Sequence, residues 1–217
     1  GGGENLPNRG INQYDSVGTL TLSSSSASPG DYSEPTALLI DSKVYLYVLA
    51  DTGNNQGSIM LFISEDNGLS FSSGSEVAAA PDTVPGQLKT PCVSCLGQQC
   101  ILAATMGEFG AIYLADGPPQ GPFLWRSNPI VEATEDYETG GIRSPSVIVE
   151  EDAIKLYYAA RSGEDSAYSI VGGEVTGGAF ERWGPVLSPS TGCLDSSGNA
   201  INCWNEGGIF DPEVKLA

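Results

Sequence analysis

The sequence Glu34-Pro-Thr-Ala-Leu-Leu-Ile40 begins with an Xaa-Pro step that recurs three more times along the chain. The four steps, spaced by 56, 54 and 67 residues, are Glu34-Pro35, Thr90-Pro91, Ser144-Pro145 and Asp211-Pro212. In the three complete copies a leucine lies 11 residues after the proline, at Leu46, Leu102 and Leu156. The constant offset indicates an internal structural repeat.

Each copy reads as a series of short strands separated by turns. In the first copy, residues 36–40, 44–48 and 59–63 are apolar runs of strand length, and the third copy has the same order. Repeats of this length, built from short strands, are typical of the blades of a β-propeller, in which each blade is a small antiparallel sheet. Because a proline at the first position of a strand removes no ladder bond, we expect the innermost strands to begin at these prolines.

The length and composition favour one all-β unit. No segment sustains a helical apolar stripe, and 28 glycines and 14 prolines punctuate the 217 residues. We predict a β-propeller of four-stranded antiparallel blades, with the chain covering three and a half to four blades. The predicted blades lie at approximately residues 31–85, 86–135, 136–205 and, in part, 206–217. Residues 1–30 form an N-terminal segment, in which residues 18–23 are a candidate closing outer strand.

The number of blades raises a question about completeness. A five-bladed ring at this blade length needs roughly 270 residues or more. Three explanations stay open: the sequence is a fragment of a larger polypeptide, residues 18–23 close a smaller ring, or neighbouring chains complete each other. An unpaired strand edge is a template for such sharing, so a homo-oligomer or polymer formed through open blade edges is one expectation.

The charge of the chain restricts its partners. The formal net charge is −18, from 27 acidic and 9 basic residues, which repels nucleic-acid phosphates and anionic membrane surfaces. The sequence has no apolar run long enough to span a bilayer and no signal-like segment, so we expect a soluble mature chain. We predict no nucleic-acid partner and no membrane insertion, and an extracellular or cell-surface protein with a solvated acidic surface.

Five cysteines fall in two clusters. Cys95 and Cys100 bracket a four-residue turn, which places them opposite each other across a hairpin, and Cys193 and Cys203 bracket a longer loop. We predict both pairs as disulfides of an exported protein, with Cys92 left over. The spacing of Cys92 and Cys95 also permits a zinc or redox site, but the chain has no histidine and no second Cys-x-x-Cys.

One turn of the first copy carries a recognisable motif. The run Ser64-Glu-Asp66-Asn-Gly68-Leu-Ser70-Phe71 matches the Asp-box pattern found in sialidases and other propellers. We expect Asp66 to accept backbone N–H bonds, Gly68 to adopt a positive φ and Phe71 to pack between sheets. This motif is structural and carries no catalysis.

Other segments of the chain resemble those of one propeller family. The runs at residues 115–123, 144–149, 184–189 and 211–216 are similar to blade turns and strand openings of five-bladed propeller glycoside hydrolases of the arabinanase, xylosidase and levanase type. The resemblance extends from about Tyr32 onward, and the matching residues are mainly those that build strands and turns. It implies a propeller fold and a carbohydrate partner.

The same resemblance implies where catalytic residues would lie. In that family, acidic side chains near the inner ends of different blades act as base or nucleophile, as proton donor and as orienting carboxylate. Of the matching positions before the prolines, Glu34 and Asp211 are acidic, whereas Thr90 and Ser144 are not. Glu213 shares the strand face of Asp211. A hydrolytic pair would lie about 5 to 5.5 Å apart for retention, or about 6.5 to 9.5 Å apart for inversion.

Three further residues are candidates for substrate binding. Lys89 and Arg143 each precede one of the non-acidic positions, and Arg143 resembles the arginine that binds the substrate carboxylate in sialidases. Trp204, beside the loop that ends at Cys203, is the third candidate. Tyr157 and Tyr158 are further candidates for sugar contact, but we expect the tyrosines of the second strands to fill the core between blades.

Two functional interpretations follow. The first is a secreted carbohydrate-active propeller, with glycoside hydrolysis through paired carboxylates at the central funnel. The second is a non-catalytic extracellular module for sugar binding, adhesion or assembly, since propellers host many unrelated roles. No cofactor is predicted, although the acidic runs at residues 135–138 and 150–152 supply oxygen atoms that make calcium a possible ligand.

Overall fold

The computed structural model describes residues 32–51, 57–82, 84, 86–107, 110–189 and 212. These residues form three four-stranded antiparallel sheets and one short 3-10 helix, Asp136–Glu138. Each sheet is one blade, so this part of the chain is a partial β-propeller, as predicted. The predicted fourth inner strand lies outside the described residues, except for Pro212. No helix in the described ranges is long and apolar enough to cross a membrane.

In each blade the four strands follow one another in chain order. The first blade contains β1 (Tyr32–Ile40), β2 (Lys43–Ala50), β3 (Ser58–Ser64) and β4 (Ser75–Ala79). The second blade contains β5 (Lys89–Leu96), β6 (Gln99–Met106), β7 (Ala111–Gly117) and β8 (Leu124–Trp125). The third blade contains β9 (Ile142–Val149), β10 (Ile154–Ala160), β11 (Ser169–Thr176) and β12 (Ala179–Leu187). The first strands of neighbouring blades contact one another, which identifies β1, β5 and β9 as the inner strands.

The repeat in the sequence corresponds to a repeat in strand register. Each repeated leucine lies on the second strand of its blade and pairs with the residue two positions after the proline. These pairs are Ala37 with Leu46, Val93 with Leu102, and Val147 with Leu156. Because the register is the same in all three blades, the leucines occupy equivalent positions. The constant spacing of 11 residues between proline and leucine therefore reflects the identical pairing of the first two strands in each blade.

The prolines lie inside the inner strands, so the expectation that these strands begin at the prolines was wrong. β1, β5 and β9 begin at Tyr32, Lys89 and Ile142, two or three residues earlier. In every blade the ladder shifts register across the Xaa-Pro step, with one extra residue on the inner strand. A bulge leaves a residue without a ladder bond, which is why a proline is tolerated there.

Apolar side chains fill the spaces between blades. One cluster lies between the first and second blades, a second lies between the second and third, and a third covers the opposite face of the first blade. Fully buried members include Tyr47 and Leu102 in the first cluster, Leu114 and Leu156 in the second, and Phe62 in the third. Burying a side chain of this size stabilises the fold by about 1.5–3 kcal/mol, so packing between blades supplies much of the stability.

The turn after β3 is closed by its own side chains. Ser70 donates to Asp66 from its backbone N–H at 2.8 Å and from its hydroxyl at 2.5 Å, and Ser64 donates to the same carboxylate at 2.7 Å. These hydrogen bonds, led by those from Ser70, lower the pKa of Asp66 to about 2. Gly68 has a φ of 88°, and Phe71 packs on the third apolar cluster. The assignment of this turn to the Asp-box class stays a prediction.

A buried carboxylate attaches the loop between the second and third blades to the third blade. Glu138, at the end of the 3-10 helix, has a side chain with no exposed surface. It accepts hydrogen bonds from Tyr158 Oη at 2.5 Å, Arg182 Nε at 3.0 Å and the backbone N–H groups of Thr134 and Glu135 at 3.0 and 3.1 Å. Burial, together with the hydrogen bond to Glu138, raises the pKa of Tyr158, which remains a donor. The loop before β9 is thereby attached to β10 and β12.

Shortening Leu102 tests the packing between blades. We expect Leu102→Ala to lower the free energy of unfolding by about 3 kcal/mol, because the substitution leaves a cavity in a fully buried cluster. Leu124→Ala is the matched control, since 71% of the Leu124 side chain is exposed, and it should change stability by no more than about 0.5 kcal/mol. Urea unfolding measures both, and equal losses would contradict the assignment of Leu102 to the core.

Removing the buried carboxylate tests the connection made by Glu138. Glu138→Ala leaves the Arg182 guanidinium without its anion, and breaking a buried ion pair costs about 3–5 kcal/mol. The lower end, about 3 kcal/mol, is expected here because 21% of the Arg182 side chain is exposed. The neighbouring exposed residue provides the control Glu181→Ala, expected to be near neutral. A thermal melt in which the two variants lose the same stability would show that Glu138 has no such role.

Candidate functional site

The residue before each repeated proline has an unusual backbone conformation. Glu34, Thr90 and Ser144 have φ values of 50°, 48° and 53°, in the left-handed region that favours glycine. Holding a non-glycine residue there costs on the order of 1–3 kcal/mol. All three sit at the bulge of their inner strand. Strain that recurs at one point of three blades motivates the hypothesis that this end of the blades is a functional site.

These three pre-proline residues are connected from blade to blade. Glu34 Oε2 accepts the backbone N–H of Thr90 at 2.5 Å, and Thr90 Oγ1 accepts the backbone N–H of Ser144 at 3.3 Å. Thr90 Oγ1 also lies 3.0 Å from Thr105 Oγ1 on the second strand of its own blade. The side chain of one blade therefore satisfies the backbone of the next.

An open cavity lies at this end of the blades, where the inner strands begin and the second strands end. Its volume is about 450 Å³, within the range of roughly 300–1,000 Å³ that is usual for small-molecule sites. We call it the blade-tip pocket. Its polar lining includes Glu34, Lys89, Thr90, Arg143, Arg161 and Tyr168.

The antiparallel topology explains which segments line the blade-tip pocket. Since each second strand runs back to the start of the inner strand, the loop between second and third strands lies beside the pre-proline residue. The loop after β6 contributes Gly107 and Gly110, and the loop after β10 contributes Arg161 and Tyr168. A Cβ on Gly110 would lie 2.1 Å from the carbonyl oxygen of Ile142, so only glycine permits this close approach to β9.

Three of the candidates predicted from the sequence line this one pocket: Glu34, Lys89 and Arg143. They come from three different blades, and only their position one or two residues before a repeated proline relates them. The other candidates, Asp211, Glu213 and Trp204, lie outside the described residues. The separation of the predicted pair of carboxylates therefore stays untested.

Three of the four tyrosines of the second strands fill the core, and none of the four lines the pocket. The buried ones are Tyr45, Tyr47 and Tyr158. Tyr157 packs edge-on against Trp183, with ring centres 6.0 Å apart, and Trp125 donates its indole N–H to a carbonyl of β4. Burial of Tyr45, Tyr47 and Tyr158 agrees with the packing role expected for them, whereas Tyr157 is half-buried and lies outside the core clusters.

The disulfide predicted between Cys95 and Cys100 is present and joins β5 to β6 across their turn. Because Cys95 is bonded to Cys100, it does not form a pair with Cys92, whose side chain packs on the second apolar cluster. The predicted Cys193–Cys203 disulfide lies outside the described residues. Across the described ranges, no three His, Cys, Asp or Glu side chains are grouped to hold a metal ion.

One carboxylate in each of the two acidic runs has a contact within the protein. Glu138 accepts hydrogen bonds from five donors, namely the backbone N–H groups of Thr134 and Glu135, the hydroxyl of Tyr158, and Nε and Nη2 of Arg182. Glu150 pairs with Lys155 at 2.7 Å across the turn between β9 and β10. These carboxylates therefore have structural roles in holding loops and turns.

Sequence reasoning missed two residues of the blade-tip pocket, Arg161 and Tyr168. Arg143 and Arg161 both lie against the ring of Tyr168, with guanidinium carbons 4.1 and 5.0 Å from the ring centre. Arg161 also donates to the carbonyl oxygens of Gly140, at 2.8 Å, and Glu164. Arg161 and Tyr168 have no repeated partner in the other blades. The sequence feature that could have identified them is their position in the loop between β10 and β11, which lies next to the pre-proline residue of its blade.

Comparison with known proteins shows the fold. No protein-family model and no curated protein matches the sequence. Among solved structures, a thermostable family-43 glycoside hydrolase has a TM-score of 0.57 at 18% identity, covering 74% of this chain and 60% of that chain. A family-117 glycoside hydrolase from the marine bacterium Zobellia galactanivorans has a TM-score of 0.59 at 18% identity, covering 74% and 58%.

A third match is the GH43_1 enzyme from Xanthomonas citri in complex with xylotriose. It has a TM-score of 0.52 at 18% identity and covers 81% of this chain and 59% of that chain. The chain thus spans about 60% of the length of the structures that it matches. At this identity the likeness concerns the fold. It confirms the resemblance to the five-bladed β-propeller glycoside hydrolases at that level.

Proposed function

We propose that the protein is a carbohydrate-active β-propeller that binds sugar in the blade-tip pocket and hydrolyses a glycosidic bond with Glu34 as one of two carboxylates. The observation that carries the proposal is the convergence of Glu34, Lys89 and Arg143 on one open cavity at the bulged ends of the inner strands. The structural neighbours that share this fold are glycoside hydrolases.

The contacts of Glu34 suit a base or nucleophile. The Thr90 N–H fixes Oε2, which orients the carboxylate at the mouth of the pocket. In an inverting reaction such a group accepts a proton from the water that attacks the anomeric carbon. In a retaining reaction it attacks that carbon directly. The proton for the departing glycosidic oxygen comes from a second carboxyl group, for which Asp211 and Glu213 are the candidates.

The hydrogen bond that Glu34 accepts from the next blade does not require a negatively charged side chain. At the equivalent position of the next blade, the hydroxyl of Thr90 accepts the same kind of backbone N–H, from Ser144. A neutral hydroxyl is therefore sufficient to connect two blades. The negative charge of Glu34 is therefore not needed to connect the blades, and the exposed position of this side chain is consistent with contact with a ligand.

One observation favours the second candidate function, a non-catalytic sugar-binding module. Glu34 is the one carboxylate among the three described pre-proline residues, and its Oε2 is already engaged by a backbone N–H. A propeller of this kind would keep the pocket and bind sugar without cleaving it. Sharing of strands between subunits stays a prediction that size measurement in solution can test.

The proposal also places the protein outside the cell. A disulfide such as Cys95–Cys100 forms and persists in oxidising compartments. The exposed acidic surface suggested by the net charge of −18 is compatible with that location.

Glu34→Gln separates catalysis from structure. Glutamine keeps an oxygen that can accept the Thr90 N–H but lacks the charge, so we expect the fold and sugar binding to persist. The rate of reducing-sugar release from xylan, arabinan or fructan should fall by about 100-fold or more. Xylotriose, which a structural neighbour binds, is the first ligand for calorimetry.

Glu76→Gln is the matched control, because Glu76 is an exposed residue of the outer strand β4 and should leave both activity and binding unchanged. Binding without sugar release by the unmodified protein would favour the non-catalytic module. Absence of both binding and release across the three polysaccharides and xylotriose would contradict the proposed function.

A further inference from the structure

A polar side chain interrupts the repeat on the second strand of the second blade. Thr105, on β6, pairs in register with Lys89, two residues before the repeated proline. The equivalent residues of the first and third blades are apolar, Leu49 and Ala159. Thr105 belongs to the lining of the blade-tip pocket, yet only 5% of its surface is exposed. A buried hydroxyl at this position of the repeat requires a hydrogen-bond partner.

The partner of Thr105 is Thr90, the pre-proline residue of the same blade. The two Oγ1 atoms lie 3.0 Å apart. The methyl group of Thr105 lies close to the loop after β6, where a Cβ on Gly110 would be 3.1 Å from Thr105 Cγ2. Because a branched side chain is stiff about χ1, a methyl group held at this loop keeps the hydroxyl directed at Thr90.

Thr90 needs such support more than the other two described pre-proline residues. Its φ of 48° lies in the left-handed region, where a side chain branched at Cβ is a strained outlier. Its hydroxyl accepts the Ser144 N–H at 3.3 Å as well as contacting Thr105. Its own N–H donates to Glu34 Oε2 at 2.5 Å. The contacts of the hydroxyl therefore fix the direction in which the N–H points.

We infer that Thr105 is a positioning residue for the Glu34 carboxylate, which it orients through Thr90 without contacting the sugar. This inference rests on the proposed function, in which Glu34 is the base or nucleophile, and adds a residue to it. Glu34 belongs to the first blade and Thr105 to the second, so the hydrogen bonds fix the carboxylate relative to the neighbouring blade. A reacting group that is slightly misplaced loses rate, because the reacting atoms must be aligned.

Thr105→Val tests the inference, because valine keeps the branched shape beside Gly110 and removes the hydroxyl. We expect kcat for reducing-sugar release to fall by about tenfold, with KM changed by less than about twofold, since the hydroxyl does not contact the substrate. Thr105→Ser retains the hydroxyl and should restore kcat to within about threefold of the unmodified protein.

A second measurement follows the contact between Glu34 and Thr90 independently of activity. The Thr90 amide should exchange with solvent about tenfold faster in Thr105→Val, whereas the Val149 amide should exchange at an unchanged rate. Thr176→Val, at an exposed threonine of β11, is the matched control and should change neither exchange nor activity. Circular dichroism and melting temperature establish that each variant is folded.

The outcomes separate the inference from the proposed function. Unchanged kcat or unchanged Thr90 exchange in Thr105→Val would overturn the inference and leave sugar hydrolysis intact. Equal losses in Thr105→Val and Thr105→Ser would overturn it as well, because the effect would then come from altered packing. A higher KM at unchanged kcat would show direct contact with the sugar instead. If the unmodified protein releases no sugar, the proposed hydrolysis fails, and exchange at Thr90 alone decides whether Thr105 orients the contact with Glu34.

Discussion

Two side chains that precede a strand proline, those of Glu34 and Thr90, each accept a backbone N–H from the same position of the next blade, and this contact aligns the inner strands. The three sheets share no ladder, so their inner strands need side chains to fix their relative heights. Glu34 and Thr90 supply the oxygen atoms that accept these hydrogen bonds. A second connection lies further along the inner strands, where Ser94 Oγ on β5 accepts the Val149 N–H on β9 at 3.2 Å. Each pre-proline residue that makes this contact lies in a bulge and has a φ in the left-handed region.

Magnitudes show what stabilises such an arrangement. A hydrogen bond of this kind contributes about 0.5–1.5 kcal/mol net, which is comparable to the strain of a positive φ at a non-glycine residue. The contacts at the blade tips therefore add little stability by themselves. The apolar clusters between blades hold the sheets together, and the buried Glu138 fixes the loop before β9 to the third sheet. The tips can consequently carry polar, strained residues in an open pocket, which is the arrangement that ligand binding requires.

The sequence predicts the periodic part of this structure and misses the part that has no period. The register of Leu46, Leu102 and Leu156 follows from their constant offset, and that offset also placed Glu34, Lys89 and Arg143 at one end of the blades. The start of the inner strands was wrong because a bulge of one residue leaves no mark on apolar spacing.

Features made by distant residues were inaccessible to sequence reasoning. Glu138 reads as one acid in an exposed run, yet its donors Tyr158 and Arg182 lie 20 and 44 residues further along the chain. Arg161 and Tyr168 belong to a single loop, and only the folded topology brings them next to Arg143. The grouping of Arg143, Arg161 and Tyr168 at the blade-tip pocket therefore emerges from tertiary structure.

The most direct test of the account is amide hydrogen exchange at Thr90. The account predicts a slowly exchanging Thr90 N–H in the unmodified protein, because Glu34 accepts it across the gap between blades. Protection should persist in Glu34→Gln, which retains an acceptor, and should be lost at Thr90 but not at Val149 in Glu34→Ala. A Thr90 amide that exchanges at the same rate in all three proteins would contradict the claim that this contact aligns the blades.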